Sequence, residues 1–169
     1  EGQYYVLTSE EVVKNQKSIG ITTGDGQEHS SNKVVKSSGD NLALVSFLSN
    51  EIYLIAEFQD SQKVRKGDSI FITGVNAKGS AISERRHQFS PGEVIDQGGG
   101  NSKSHRIAYT NRTLNGMVGG PVLDEYGSVI GIHNATNSAI SIQPFIQESR
   151  TLLPDAQFIT ESENELPVT

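Results

Sequence analysis

The chain has 169 residues, a net charge of −6, 17 glycines and neither cysteine nor tryptophan. The lack of cysteine excludes a disulfide scaffold and a thiolate metal site. The acidic balance argues against a nucleic-acid surface, and no apolar run approaches the ~20 residues of a membrane-spanning helix. This length accommodates one domain, or two small β-barrels sharing a cleft.

Tyr4-Tyr5-Val6-Leu7-Thr8 is rich in aromatic and β-branched residues and predicts a strand. Ser9-Glu10-Glu11-Val12-Val13 follows as a single helical turn capped by Thr8 or Ser9. Residues 18–23 and 33–36 read as short strands joined by the polar turn Gly24-Asp25-Gly26-Gln27-Glu28. Asp40-Asn41-Leu42-Ala43-Leu44-Val45-Ser46-Phe47 predicts a further strand. Residues 52–58 and 69–74 are expected strands, the second after a Lys66-Gly67-Asp68 turn, and they complete a first unit near residue 77.

Residues 78–87 are polar and basic and read as a crossing between two units. Residues 93–96 predict a strand, and the glycine- and serine-rich stretch 98–104 predicts a mobile loop. Residues 106–110 lead into Leu114-Asn115-Gly116-Met117-Val118-Gly119-Gly120-Pro121-Val122-Leu123. Residues 139–145 are the last expected strand, with a short amphipathic segment after it. From Pro154 onward the chain is acidic and poorly patterned, as a loose tail would be. No internal repeat is visible. Short strands at regular spacing, with turn signals between them, imply an all-β sandwich or barrel.

The segment from Leu114 to Leu123 organises the rest. Three glycines and a proline within six residues describe a tight turn that needs positive φ or close backbone approach. Such a turn aims successive N–H groups into one space, which is how an oxyanion hole is built. The apolar run after it, broken by Asp124-Glu125-Tyr126-Gly127, reads as a β-hairpin.

This turn resembles the active-site loop of trypsin-like serine proteases, Gly-x-Ser-Gly-Gly-Pro, with Val118 where the nucleophilic serine belongs. Val6-Leu7-Thr8-Ser9-Glu10-Glu11-Val12-Val13 is similar to that family's histidine-bearing segment, with Glu11 at the histidine position. The strand after Asp40 is similar to the family's Asp-Leu-Ala-Leu element, with Asn41 in place of the aspartate. Asp40 is one residue off, and a one-residue slip turns a strand side chain to the opposite face. The resemblance runs from residue 4 to 133 and implies two six-stranded antiparallel barrels of the chymotrypsin type. It divides the chain into an N-terminal barrel over 1–77, a C-terminal barrel over 78–148 and a C-terminal segment over 149–169. It also implies a strand or two ahead of Glu1 in a family member, so the chain reads as part of a longer protein.

In this chemistry serine attacks, histidine takes its proton and aspartate holds the histidine tautomer. Valine has no lone pair or proton to offer, so the resemblance implies a pseudoprotease. Glu11 and Asn41 either hydrogen-bond to each other in the old histidine–aspartate slot, or Glu10 and Glu11 are two solvated charges. The amides of Gly116 and Val118 occupy the family's oxyanion-hole positions; either the hole persists, or Glu11 or a flipped peptide fills it.

Thr113 lies five residues before Val118 and His133 fifteen after it. In the glutamyl endopeptidases of this clan, Thr or Ser and His at those spacings hold an acidic side chain. The resemblance thus implies an acid-selective pocket, with Asn134, Ala135 and Thr136 as the edge to which an extended peptide adds. The competing reading of His133 is a solvated or internally satisfied histidine. Arg112, near that pocket, reads either as a surface residue or as a reinforcement of its preference for an anion. His29, His87 and His105 share no ligand spacing, so no metal and no cofactor is expected, and Arg85-Arg86-His87 reads as a solvated or partner-facing patch.

The expected function is therefore protein or peptide binding, including acidic ligands, by an inactive protease homologue. A serine endopeptidase cleaving after Glu or Asp, present in inactivated form, and a structural barrel with no ligand cleft are the competing readings.

Overall fold

The computed structural model describes residues 2–31, 33–76, 86–98, 106–135, 137–154 and 156–160. In chain order the elements are β1 (Gly2–Ser9), α1 (Glu10–Val13), β2 (Ile19–Thr22), β3 (Glu28–Ser31), β4 (Val34–Lys36), β5 (Leu42–Ser49) and β6 (Glu57–Phe58). A 3₁₀ turn at Ser61–Lys63 precedes β7 (Ser69–Val75), β8 (His87–Gly98), β9 (Arg106–Tyr109), β10 (Pro121–Leu123), β11 (Val129–Ala135) and β12 (Ser138–Ser141). The helix α2 (Gln143–Leu152) and β13 (Ile159–Thr160) follow.

The C-terminal half is a closed six-stranded antiparallel barrel in the order β10-β7-β8-β9-β12-β11, with β10 also paired to β11. Alternation along β7 turns Ile70 and Ile72 inward, where they pack with Val94, Ile107, Tyr109, Met117, Val122 and Ile130. In the N-terminal half β1 pairs with β5 along its whole length, from Gly2↔Ser49 to Ser9↔Leu42, and β4 pairs with the other edge of β5. β2 and β3 form a separate hairpin. Both faces of β5 are covered. Leu42 and Leu44 join a cluster with Ile132, Ile140 and Phe145 that bridges the two halves, while Ala43 and Val45 pack on Val13. The architecture is the all-β, chymotrypsin-like one. No described helix is long and apolar enough to cross a membrane.

Four expectations change. The strand expected at 69–74 as the end of the first barrel is β7, and its partners β8 and β10 lie in the second. A strand's alternation shows which face is buried but does not name its neighbour. Of residues 52–58 only Glu57–Phe58 is strand. Ile52 and Leu54 stand 93 % and 102 % exposed while Tyr53 is anchored between them. The strand expected to reach residue 145 stops at Ser141, because Pro144 lies in the first turn of α2, where its missing N–H costs nothing. The loose tail contains β13, paired parallel to β6. The crossing at 78–87 falls mostly, the loop at 98–104 almost wholly, and the tail beyond Thr160 entirely outside the described residues.

Candidate functional site

α1 begins at Ser9, whose buried hydroxyl accepts a hydrogen bond from the Glu11 amide at 3.3 Å and caps the turn. The Glu10 amide donates to the Asn41 carbonyl at 2.7 Å, which fastens the start of β5 to this turn. Asn41 has φ +53, a left-handed conformation that asparagine tolerates better than most residues. The Glu10 carboxylate is paired with Lys36 at 2.7 Å. Two of the positions singled out in sequence thus meet at one end of the N-terminal sheet.

The third arrives on the turn before β10. Gly116 and Gly119 take φ +96 and +86, the Met117 amide donates to the Leu114 carbonyl, and Gly120 donates to Met117. Met117 is 1 % exposed, and its backbone and Cβ lie so close to Gly74 that a side chain there would press on them. The Gly119 amide donates to the His133 carbonyl at 2.8 Å, and the His133 amide donates to the Gly120 carbonyl at 2.9 Å. Thr8 Oγ1 completes the docking by donating to the Gly119 carbonyl at 3.3 Å. Among the described residues, the amides of Gly116 and Val118 have no acceptor.

Ser9, Glu10, Glu11, Lys14, Asn41 and Asn134 line one open cleft of about 380 Å³. Glu11 and Asn41 share it, but no hydrogen bond joins the carboxylate to the amide. The expected pairing is therefore replaced by a backbone contact, Asn41 carbonyl to Glu10 amide. Asn134 reaches this cleft, whereas Thr136 lies outside the described residues. Ala135 ends β11 and is the register partner of Ser138.

His133, for which two readings stand, lies inside the barrel. Its side chain is 2 % exposed and its Nδ1 lies 2.5 Å from the Tyr109 hydroxyl. Burial pushes its pKa below the ordinary 6.5, opposed by a hydrogen bond to the Ser138 backbone. An imidazole satisfied inside the barrel has no donor left for an entering carboxylate. Thr113 is half-buried and Arg112 exposed. Tyr109, which closes off His133, was not singled out in sequence; the alternation of β9, with Ile107 and Tyr109 inward, was its only signal. Thr8 and Lys14 were missed too, because nothing local shows that they face the second half.

Fold and cleft together define a trypsin-like peptidase domain. Residues 1–132 match the family described as "Trypsin-like peptidase domain", and the chain belongs to it. It is similar to the Serine protease Do-like HtrA of Lactobacillus helveticus, 23 % identical over 94 % of this chain and 39 % of that protein. It is also similar to the Serine protease Do-like HtrA of Bacillus subtilis (strain 168), 26 % identical over 79 % of this chain and 30 % of that one. The chain thus spans well under half the length of these relatives. Among solved structures, "HtrA-type protease AlgW with decapeptide" superposes with a TM-score of 0.74 at 20 % identity, over 89 % of this chain and 49 % of that one. "Crystal structure of Deg5" does so at 0.69 and 23 %, over 89 % and 79 %.

Proposed function

We propose that this domain binds an extended peptide or protein segment in the Glu11–Asn41–Asn134 cleft without cleaving it. What supports this reading is the residue set: Val118 stands where the resembling family motif has its serine, and among the described residues no imidazole lines the cavity. Loss of the nucleophile costs about as much as loss of the whole triad in the serine-protease example, roughly 10⁶-fold in rate. The hydroxyl–imidazole contacts among the described residues, Tyr109 with His133 and Tyr53 with His29, are both made by phenols. Tyr109 is enclosed in the barrel and Tyr53 is packed against Tyr4 and Phe47, and neither lines the Glu11–Asn41–Asn134 cleft.

Binding is supported by what remains. Among the described residues the amides of Gly116 and Val118 have no acceptor, and Asn134, near the end of β11, lines the cleft; free amides and a strand end are what strand addition uses. The similar HtrA-type protease structure carries a decapeptide. Selectivity for acidic side chains is not part of this reading, because His133 is enclosed. The relatives named serine proteases favour a second reading, an endopeptidase.

A fluorogenic peptide library and denatured casein, each incubated with the native chain and with Glu11→His/Asn41→Asp/Val118→Ser, separate the two. Binding is followed in parallel by fluorescence anisotropy of labelled decapeptides. The expected result is saturable binding with no turnover by the native chain. Turnover by the native chain overturns the loss of chemistry, and no saturable binding by any library member overturns the peptide cleft.

A further inference from the structure

His133 is tied to the Val118 turn twice over, by the paired backbone hydrogen bonds to Gly119 and Gly120. Its side chain points the other way in its chemistry, into the barrel, onto Tyr109. One residue therefore connects a titratable interior group to the turn that carries the Gly116 and Val118 amides. The groups facing it are the Tyr109 hydroxyl from β9, the Ser138 backbone and Ala139 from β12, and the Gly119 and Gly120 backbone from the turn. None of these carries a charge, and Tyr109 is itself buried so deeply that its phenol pKa is pushed well up.

We propose that Tyr109 and His133 form a proton-sensitive latch: the neutral pair holds the Val118 turn against β11, and a proton taken up by His133 releases that turn. With the ring's other N–H given to the Ser138 backbone, the neutral imidazole has Nδ1 as the acceptor of the Tyr109 O–H. A proton arriving from solvent on Nδ1 makes that nitrogen a donor. Tyr109 must then turn its own hydrogen away and accept, and no acceptor for that hydrogen is placed beside it among the described residues. The barrel would hold an uncompensated cation and an unsatisfied phenol O–H, both costly in an apolar interior. Relief comes by moving His133, and the two hydrogen bonds that move with it are Gly119 N–H to the His133 carbonyl and His133 N–H to the Gly120 carbonyl. The sign follows from burial: the folded state binds this proton less well than the unfolded chain. The latch therefore holds above about pH 6.5 and weakens as pH falls from there towards the folded-state value.

The test uses the ligand-free protein, so its outcome is independent of the peptide-binding reading. The His133 ring is titrated by NMR while amide-exchange protection, corrected for intrinsic rates, is measured for the amides of residues 119 and 133, the two donors of the paired bonds, from about pH 7.5 to about pH 4.5. Protection of these two amides is expected to fall about tenfold while that of Ile70 and Ile72 holds. In His133→Gln, whose amide accepts the Tyr109 hydroxyl but takes no proton, protection is expected to stay level. The same profile in both proteins, or a uniform fall across the barrel, overturns the proposal. Should His133→Gln not fold, the native protein decides alone: the ring titration and the loss of protection must share a midpoint, and separate midpoints sink the latch.

Discussion

Thr8 donates its hydroxyl to the Gly119 carbonyl at 3.3 Å, and through this bond the strand leading into α1 grips the turn of the opposite half. The fit leaves no space at Gly119. A Cβ there would overlap Thr8 Oγ1 and press on a Val12 methyl, and the residue already sits at φ +86. Gly119→Ala is expected to cost more than about 2 kcal/mol, combining left-handed strain with a clash across the cleft. Gly127 has the same kind of φ, +89, but open space around it, so Gly127→Ala isolates the backbone part at about 1 kcal/mol. Urea-unfolding midpoints at constant slope make the comparison. Equal costs at the two positions would show that the Thr8–Gly119 junction is loose.

Phe145 is fully buried where α2 packs on Leu42 and Leu44 from the first half and Ile132 and Ile140 from the second. Removing its ring leaves a cavity between elements of both halves, so Phe145→Ala is expected to destabilise by about 3–5 kcal/mol. The unfolding transition should remain single by circular dichroism and by tyrosine fluorescence. Two separated transitions would mean that this shared core does not couple the halves.

What the sequence disclosed follows the range of the forces involved. The cap at Ser9, the hairpin turn at Asp124 and the glycines of the Val118 turn are local. Asp124 Oδ1, for example, accepts from the Tyr126 and Ser128 amides at 2.9 and 2.8 Å. Such contacts are encoded in neighbouring residues. Sheet membership is not local: the β7 pattern fits either barrel. The enclosure of His133 depends on Tyr109, 24 positions away, and no spacing rule anticipates that partner. The Glu11–Asn41 pairing failed for a related reason. Family positions carried the two residues into one cleft, but the left-handed backbone at Asn41 settled which of its atoms meets α1.

The stretch around Tyr53 shows a local pattern misread for want of its anchor. Its apolar run suggests a strand, yet Tyr53 packs edge-on against Tyr4, with ring centroids 5.2 Å apart, and its hydroxyl lies 3.3 Å from His29 Nε2. Anchoring that one ring leaves Ile52 and Leu54 in solvent. Ile52→Ser and Leu54→Ser are each expected to change stability by less than about 0.5 kcal/mol, whereas Tyr53→Ala costs about 1–3 kcal/mol. Thermal-unfolding midpoints of the three variants check this. A large loss on either serine substitution would mean that those side chains are covered in the protein in solution.

Glu148 on α2 reaches the loop that precedes Asn41. Its Oε2 accepts from Ser37 Oγ at 2.8 Å and its Oε1 from the Ser38 amide at 2.9 Å, while Ser37 Oγ in turn accepts from the Asp40 amide at 3.3 Å. Hydrogen bonds from Ser38 foremost, with Ser37 adding to them, hold the Glu148 carboxyl below its ordinary value of 4.5 against a smaller opposing effect of burial. A carboxylate favoured by the fold contributes stability that is fully present above the unfolded-state value and is lost as pH falls through the folded one. Glu148→Gln keeps an acceptor but no charge, and the site is open enough for solvent to screen part of the effect. The substitution is expected to cost about 1 kcal/mol at neutral pH, with the difference from the native protein closing below about pH 4. Urea midpoints of both proteins at neutral pH and near pH 3 provide the measurement. A difference that persists undiminished in acid would assign the contribution of Glu148 to shape rather than charge, and the Asn41 loop would then be held by packing of α2 alone.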